Sequence, residues 1–320
     1  TALVAIVSAG AITVPDAGYE IVDNKATNVG NYTATLTGKG NFKGSVTANW
    51  SIVAANANLF NITLGTNEYT YDGTAKTPTV TVKDGEATLV ENTDYTLAYT
   101  ANTNAGTATV TVTGKGNYSG TKTATFTIKT ADITPTAPTA KTGLVFNALP
   151  QTLISAGSAQ GGEMQYSLDN VNYSTSLPSG FEAKEYTVYY KVVADANHND
   201  VAAQSIKVTI AQAELTELIL AQTTLTYNQQ EQTVAVASVK AGNLPVAADS
   251  YEVSGNKGTN VSEYTVTVTG KGNFKNTATA KFNIVPAEAE AEFEITLGTT
   301  EYIYDGTAKT PTVTVKDGEA

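Results

Sequence analysis

The 320-residue chain carries 41% hydrophobic side chains, enough for packed cores, but only 15% charged ones. It has no arginine and a formal charge of −11, so the clustered cations that nucleic acid or an anionic membrane surface requires are missing. It has no cysteine, which rules out a disulfide framework and any thiolate metal site, and no 18-residue apolar run that predicts a membrane-spanning helix.

The string TGKGNF at 37–42 returns as TGKGNY at 113–118 and TGKGNF at 269–274. Gly114 lies 76 residues after Gly38, and Gly270 lies 156 after Gly114. The double gap predicts a divergent copy between them. Ala194, Asp195, Ala196, Asn197 and His198 fill it, in register with Gly114, Lys115, Gly116, Asn117 and Tyr118. A longer period overlies the short one: YDGTAKTPTVTVKDGEA at 71–87 recurs letter for letter at 304–320. Such self-similarity is the mark of a tandem array.

In chain order, residues 1–56 read as a partial repeat without its first strands. TALVAIVSAG at its start reads as a strand equivalent to Thr233 onward, since no basic segment makes it a leader peptide. Residues 57–134 form a full repeat, in which Tyr95, Leu97 and Tyr99, then Val110 and Val112, then Phe126 and Ile128 alternate with polar neighbours as half-buried strands do. Its opening, VAANANLFNITL at 53–64, reads as strand. Residues 135–212 are the divergent repeat, entered through TADITPTAPTAK at 130–141, whose prolines predict an extended connector. Residues 213–286 follow as a further repeat, with ELTELILAQ at 214–222 read as strand over helix. Residues 287–320 supply the first strands of another, in which Phe293, Ile295 and Leu297 are expected to face a core. Asp72-Gly73 and Asp84-Gly85 mark turns. The predicted fold class is all-β: small antiparallel β-sandwiches in tandem, forming an elongated, semi-rigid array.

GKGN suggests a phosphate loop, but that mechanism needs a helix N-terminus after the glycines, and a strand pattern follows. It reads instead as a hairpin turn whose glycines suit a backbone that visits positive φ and whose aromatic (Phe42, Tyr118, Phe274) packs back over it. His198 falls on that aromatic position and reads as a structural ring. Asp195, Asn197 and Asp200 offer oxygens for Ca²⁺, with neither the number nor the spacing of a known calcium loop. Glu91/Asp94 and Glu20/Asp23 read as solvated turn carboxylates rather than a glycosidase pair. The threonine rows of TATVTVT at 107–113 read as a wet sheet face, and Trp50 and Tyr173 as core or rim aromatics that could stack sugars only if exposed. No catalytic, cofactor-binding or metal residue is assigned, and no cofactor is expected.

YDGTAKTPTVTVKDG, NTDYT and NAGTATVTVTGKGNYSGT together resemble the YDG/MBG-type Ig-like repeats of very large bacterial surface and secreted proteins. GLVFNALPQTLISAGSAQGGEMQYSLDN and YTVYYKVVADANHND, within 143–200, resemble a sister repeat interleaved with them. The resemblance implies a non-enzymatic, extracellular stalk or filament, and it carries no catalytic motif onto these residues. Lys–Asn isopeptide cross-links occur in such sandwiches, and this sequence singles out no pair. Expected partners are neighbouring repeats or copies of the chain itself, with strand donation between copies as one route to polymers and a continuous longer array as the other. The competing reading is an adhesin or carbohydrate-binding module, with the divergent repeat 135–212 contacting glycans, host or matrix proteins.

Overall fold

A computed structural model describes residues 6–288 and 293–317, all as strand, turn and loop with three short 3-10 turns. No helix among the described residues is long and apolar enough to cross a membrane. The chain divides into two compact units. One holds the described residues to Thr134 with Ala159–Glu163 and Val193–Val201; the other holds Pro135–Ser158, Met164–Val192 and the described residues from Ala202 onward.

In the first unit, residues 60–129 build a two-sheet sandwich. Asn61–Leu64, Val80–Asp84 and Ala87–Thr88 make a three-stranded sheet, with Val80–Asp84 in the centre. Tyr95–Thr100, Gly106–Gly114, Thr121–Lys129 and Glu68–Thr70 make a four-stranded one in that order. Strict alternation along Gly106–Gly114 puts Ala108, Val110 and Val112 on the inner face, fully buried, while Thr107, Thr109, Thr111 and Thr113 stand on the other. Val112 meets Phe60, Val82, Leu89 and Tyr95, and Phe126 and Ile128 meet Leu64, Tyr69 and Tyr99. Burying one such side chain stabilises by roughly 1.5–3 kcal/mol. Pairing is not wholly antiparallel: Glu68–Thr70 runs parallel to Thr121–Lys129.

Before this sandwich, Tyr19–Val22, Gly30–Gly38 and Ser45–Ile52 form one three-stranded sheet, accompanied by the small hairpin Ser8–Ala9/Ile12–Thr13. The rest of the strand expected at 1–10 falls on residues 1–5, outside the described residues. The strand expected over 53–64 is broken. Ala55–Asn56 pairs, a 3-10 turn Ala57–Leu59 intervenes, capped by the Asn56 side chain accepting from Asn58 N–H, and Asn61–Leu64 resumes.

In the second unit, Glu217–Leu220, Val236–Ala241 and Leu244–Pro245 oppose the four-stranded sheet Thr224–Thr226, Thr277–Val285, Ser262–Gly270 and Tyr251–Ser254. Residues 217–220 are thus strand, and Leu218, Leu220, Val239, Val266, Val268 and Phe282 are buried. In the divergent repeat, Gly162–Ser167, Glu185–Ala194 and Val201–Thr209 form a three-stranded sheet. Farther on, Phe293–Leu297 pairs with Val313–Asp317. Ile295 and Leu297 do not face a core: they are 66% and 42% exposed, because no second sheet covers them among the described residues.

Candidate functional site

The GKGN turns at 114–117 and 270–273 and the divergent turn at 194–197 sit at contacts between repeats, and their asparagines make those contacts. Asn117 accepts a hydrogen bond at Oδ1 from Val29 N–H (2.8 Å) and at its carbonyl from Ala55 N–H (3.0 Å). Asn197 accepts from Ala105 N–H (2.9 Å) and Ala131 N–H (2.9 Å) in the same two ways. Asn273 accepts from Ala183 N–H (2.7 Å) and Ala213 N–H (3.0 Å). One asparagine therefore binds two separate points, a loop amide of the preceding repeat with its side chain and a connector amide with its backbone. The connector also runs parallel to the residues after the turn, Ala55-Asn56 beside Tyr118-Ser119 and Ala213-Glu214 beside Phe274-Lys275. Each such bond contributes about 1 kcal/mol.

The backbone of the turn visits positive φ as expected, but at only one of its two glycines, which serve different needs. Gly116 has φ +63°, as do Gly40 and Gly272 at +61°. Gly114 does not; a Cβ there would lie 2.7 Å from the Ser119 nitrogen, because the chain doubles back across it. The divergent turn manages without either glycine. Ala196 keeps an ordinary φ, the Asp195 carboxylate accepts from Asn197 N–H (2.8 Å), and Asp200 Oδ1 takes the Ala194 N–H (2.8 Å) that a backbone carbonyl takes in the other turns. Aspartate at this place is a standard turn former.

The aromatic after each asparagine meets a residue beyond its own turn. Phe274 meets Phe146 edge to face at 5.4 Å, and His198 meets Tyr71 at 5.2 Å. His198 is a ring in a ring's place, with Nδ1 2.7 Å from Asp195 Oδ1. That contact and the Asn197 amide hold the Asp195 carboxyl below the usual carboxylate range. Tyr118 packs on Phe60 at 5.3 Å, and Phe42 lies over Gly18.

Asp195, Asn197 and Asp200 are spent on these bonds, and among the described residues no group of three His, Cys, Asp or Glu could hold a metal ion. Asp94 accepts from Val90 N–H (2.8 Å), and Glu20 pairs with Lys39 (2.6 Å), so neither carboxylate pair converges on a cleft. In the YDGTAK motif Asp72 holds Thr74 and pairs with Lys76 (2.5 Å), which keeps its carboxyl far below the ordinary range, while Asn102 donates to the Lys76 carbonyl (2.9 Å). It is a loop latch. Tyr173 carries Lys191 over its ring at 4.3 Å, and Trp50 stacks on Tyr32 at 4.8 Å.

A further set of residues was not singled out in the sequence. Tyr32, Tyr186 and Tyr264 each donate from the hydroxyl to the carbonyl four residues back, on Asn28 (2.6 Å), Glu182 (2.9 Å) and Asn260 (2.9 Å). They stiffen the loops that carry Val29 and Ala183, two of the amides bound by the clamp. The signal was present as a tyrosine four residues after the loop residue in NVGNY, EAKEY and NVSEY.

Residues 60–132 match the family model of the MBG domain. No curated protein matches the sequence. Among solved structures, the chain is similar to the extracellular cadherin domains 3–6 of protocadherin gamma B2, at 12% identity over 81% of this chain and 83% of that one, with a TM-score of 0.26. It is similar to the protocadherin gammaB7 EC3-6 cis-dimer structure at 14% identity, covering 80% and 84%, with a TM-score of 0.24. The surface layer protein SbsC, domains 1–6, shows 15% identity over 84% of this chain and 46% of that one, with a TM-score of 0.20.

Proposed function

We propose that this MBG-type chain is a structural segment of a tandem-repeat stalk or filament, outside the cell or on the surface of a bacterium, supplying reach and stiffness. The parts of this reading are the repeats 1–56, 57–134, 135–212, 213–286 and 287–320, joined in an elongated row. The observation that carries it is the asparagine clamp, made three times from the same atoms at Asn117, Asn197 and Asn273. A stalk needs one joint repeated at a constant geometry; an enzyme or receptor needs one site made once. The reading is non-enzymatic, and its partners are neighbouring repeats.

Small-angle scattering and electron micrographs of the protein test it. A rod with a narrow spread of inter-repeat angles is expected, and Asn117→Ala/Asn197→Ala/Asn273→Ala should broaden that spread while leaving strand content unchanged. A wild-type chain already as flexible as the triple variant sinks the stalk reading. The adhesin reading draws on one feature of 135–212. The Asp169 carboxylate organises the loop 167–172 through Ser167, Val171 and Asn172, beside the Tyr173–Lys191 pair. Glycan binding that disappears on Tyr173→Ala would favour it.

A further inference from the structure

The divergent repeat departs most from its neighbours in one loop. Residues 101–105 join the strands Tyr95–Thr100 and Gly106–Gly114, and residues 255–261 join Tyr251–Ser254 and Ser262–Gly270. The equivalent strands Gly162–Ser167 and Glu185–Ala194 are joined by the much longer segment 168–184. An array that otherwise reuses one part gives this repeat extra chain at a single place. Binding residues gather on such loops, because a rigid scaffold can hold them in position.

The added chain is tied down. Tyr166 and Ser174 exchange backbone hydrogen bonds (2.7 and 3.0 Å), which pins the loop to the edge of strand Gly162–Ser167. The Tyr166 hydroxyl accepts from Gly157 N–H (3.0 Å). Asp169 Oδ1 accepts from Ser167 Oγ (2.7 Å), Val171 N–H (2.9 Å) and Asn172 N–H (2.8 Å). Ser167 is the one buried polar side chain among the described residues. Donation from the Asn172 amide, then from Ser167 and Val171, holds the Asp169 carboxyl far below its usual range, so it is ionised at neutral pH. Its Oδ2 accepts from Asn172 Nδ2 (2.7 Å) and from no other donor among the described residues, which leaves this exposed oxygen a lone pair for a ligand.

A cleft of about 480 Å³ lies between the two arms of this loop, within the roughly 300–1,000 Å³ of small-molecule sites. Its chemistry narrows the ligand. Ser174, Ser176 and Ser179 line it, and their hydroxyls donate and accept alike, as the hydroxyls of a polyol do. The exposed Leu168 and Leu177 add an apolar wall that suits the C–H face of a sugar ring. Asp169 is the charged residue of the lining, and the nearby Lys191 ammonium lies over the Tyr173 ring instead. A sulfate or a sialyl carboxylate would therefore meet a fixed negative charge with no cation to pair it. We propose that this cleft binds a neutral saccharide, one hydroxyl of which donates to Asp169 Oδ2 while the ring lies against Leu168 and Leu177. The proposal rests on the glycan reading of the divergent repeat and goes beyond it by naming the cleft and the charge it rejects; the stalk reading stands without it.

A glycan array probed with the 320-residue protein provides the test. It carries neutral hexose, N-acetylhexosamine and fucose oligosaccharides beside their sialylated and sulfated forms. Neutral members should bind, and the acidic form of a bound member should bind about ten-fold more weakly or not at all. Ser176→Trp fills the cleft and Leu177→Asp charges its wall. Each should weaken binding about ten-fold or more, while unchanged exchange protection of the Val171 and Asn172 amides shows the loop intact. The cleft is overturned if no neutral member binds, if acidic members bind as tightly, or if binding is indifferent to both changes. Binding lost in Tyr173→Ala but kept in Ser176→Trp and Leu177→Asp overturns it too, yet spares the glycan reading, because Tyr173 lies outside the cleft against Asn170 and Lys191. Joint angles are read separately, so none of these results bears on the stalk.

Discussion

The sheets at 19–52 and 251–285 are near-copies in sequence and pair in the same register. Tyr19 faces Gly38 as Tyr251 faces Gly270, and Tyr32 faces Trp50 as Tyr264 faces Phe282. Yet Val266, Val268 and Phe282 are fully buried, while Ala34, Leu36 and Trp50 are half-buried and Val46 and Ala48 are exposed. The difference is the sheet carrying Leu218, Leu220 and Val239, which lies over the second copy; among the described residues no equivalent of Glu217–Leu220 lies over the first. Strand, turn and register therefore follow from local sequence, while burial depends on what lies opposite.

The largest test of that contrast is truncation at one equivalent site. Phe282→Ala should cost about 3–5 kcal/mol, from lost burial plus the cavity left behind, and Trp50→Ala about 1 kcal/mol or less. Native-state hydrogen exchange over 262–285 and 30–52 separates the two; equal losses would mean that the first sheet is covered after all. Next come the turn glycines. Gly114→Ala should cost about 2–3 kcal/mol because the new Cβ meets backbone, and Gly116→Ala about 1 kcal/mol for its positive φ. Ala196→Gly in the divergent turn should stay within about 0.5 kcal/mol, as read from denaturation of the repeats concerned.

Smaller effects sharpen the view of the clamp. Asn273→Ala should lower the stability of its joint by about 1 kcal/mol, whereas Asn273→Asp keeps an accepting oxygen and should lose much less. Asn117→Asp should fall between them, because the Asn117 side chain also donates from Nδ2 to Asn28 Oδ1 at 3.2 Å and a carboxylate cannot. The smallest effect concerns pH. The Asp195 carboxyl is held below its usual range, first by His198 and then by the Asn197 amide, so its contribution is present above that range and is lost as pH falls through the lowered value. Exchange protection at Asn197 should hold at neutral pH, drop below about pH 4, and become insensitive to acid in Asp195→Asn.

Much of the fold was legible because β alternation and repeat spacing are local properties. Val110, Val112, Phe126 and Ile128 were recognisable as inner-face residues from period two alone, and the divergent turn at 194–198 from the spacing of its neighbours. The clamp was not legible. Nothing in the letters GKGN says that the asparagine reaches Val29, some 88 residues away, because that contact depends on where the chain returns after a whole sandwich has closed. The break in the strand at Ala57–Leu59 has a local part, the Asn56 side chain accepting from Asn58 N–H, and a distant one, the pairing of Ala55-Asn56 beside Tyr118-Ser119.

By itself, then, the sequence determined the repeat spacing, most of the strands, and the absence of the cations and thiols that other functions require. Only the tertiary structure decided that the repeated asparagine is a joint, that Gly114 is needed for a close backbone approach, and that His198 stands against Tyr71. A residue's conformation is set by its chain neighbours, but a hydrogen bond or a buried surface needs a partner, and partners here lie most of a repeat or more away along the chain.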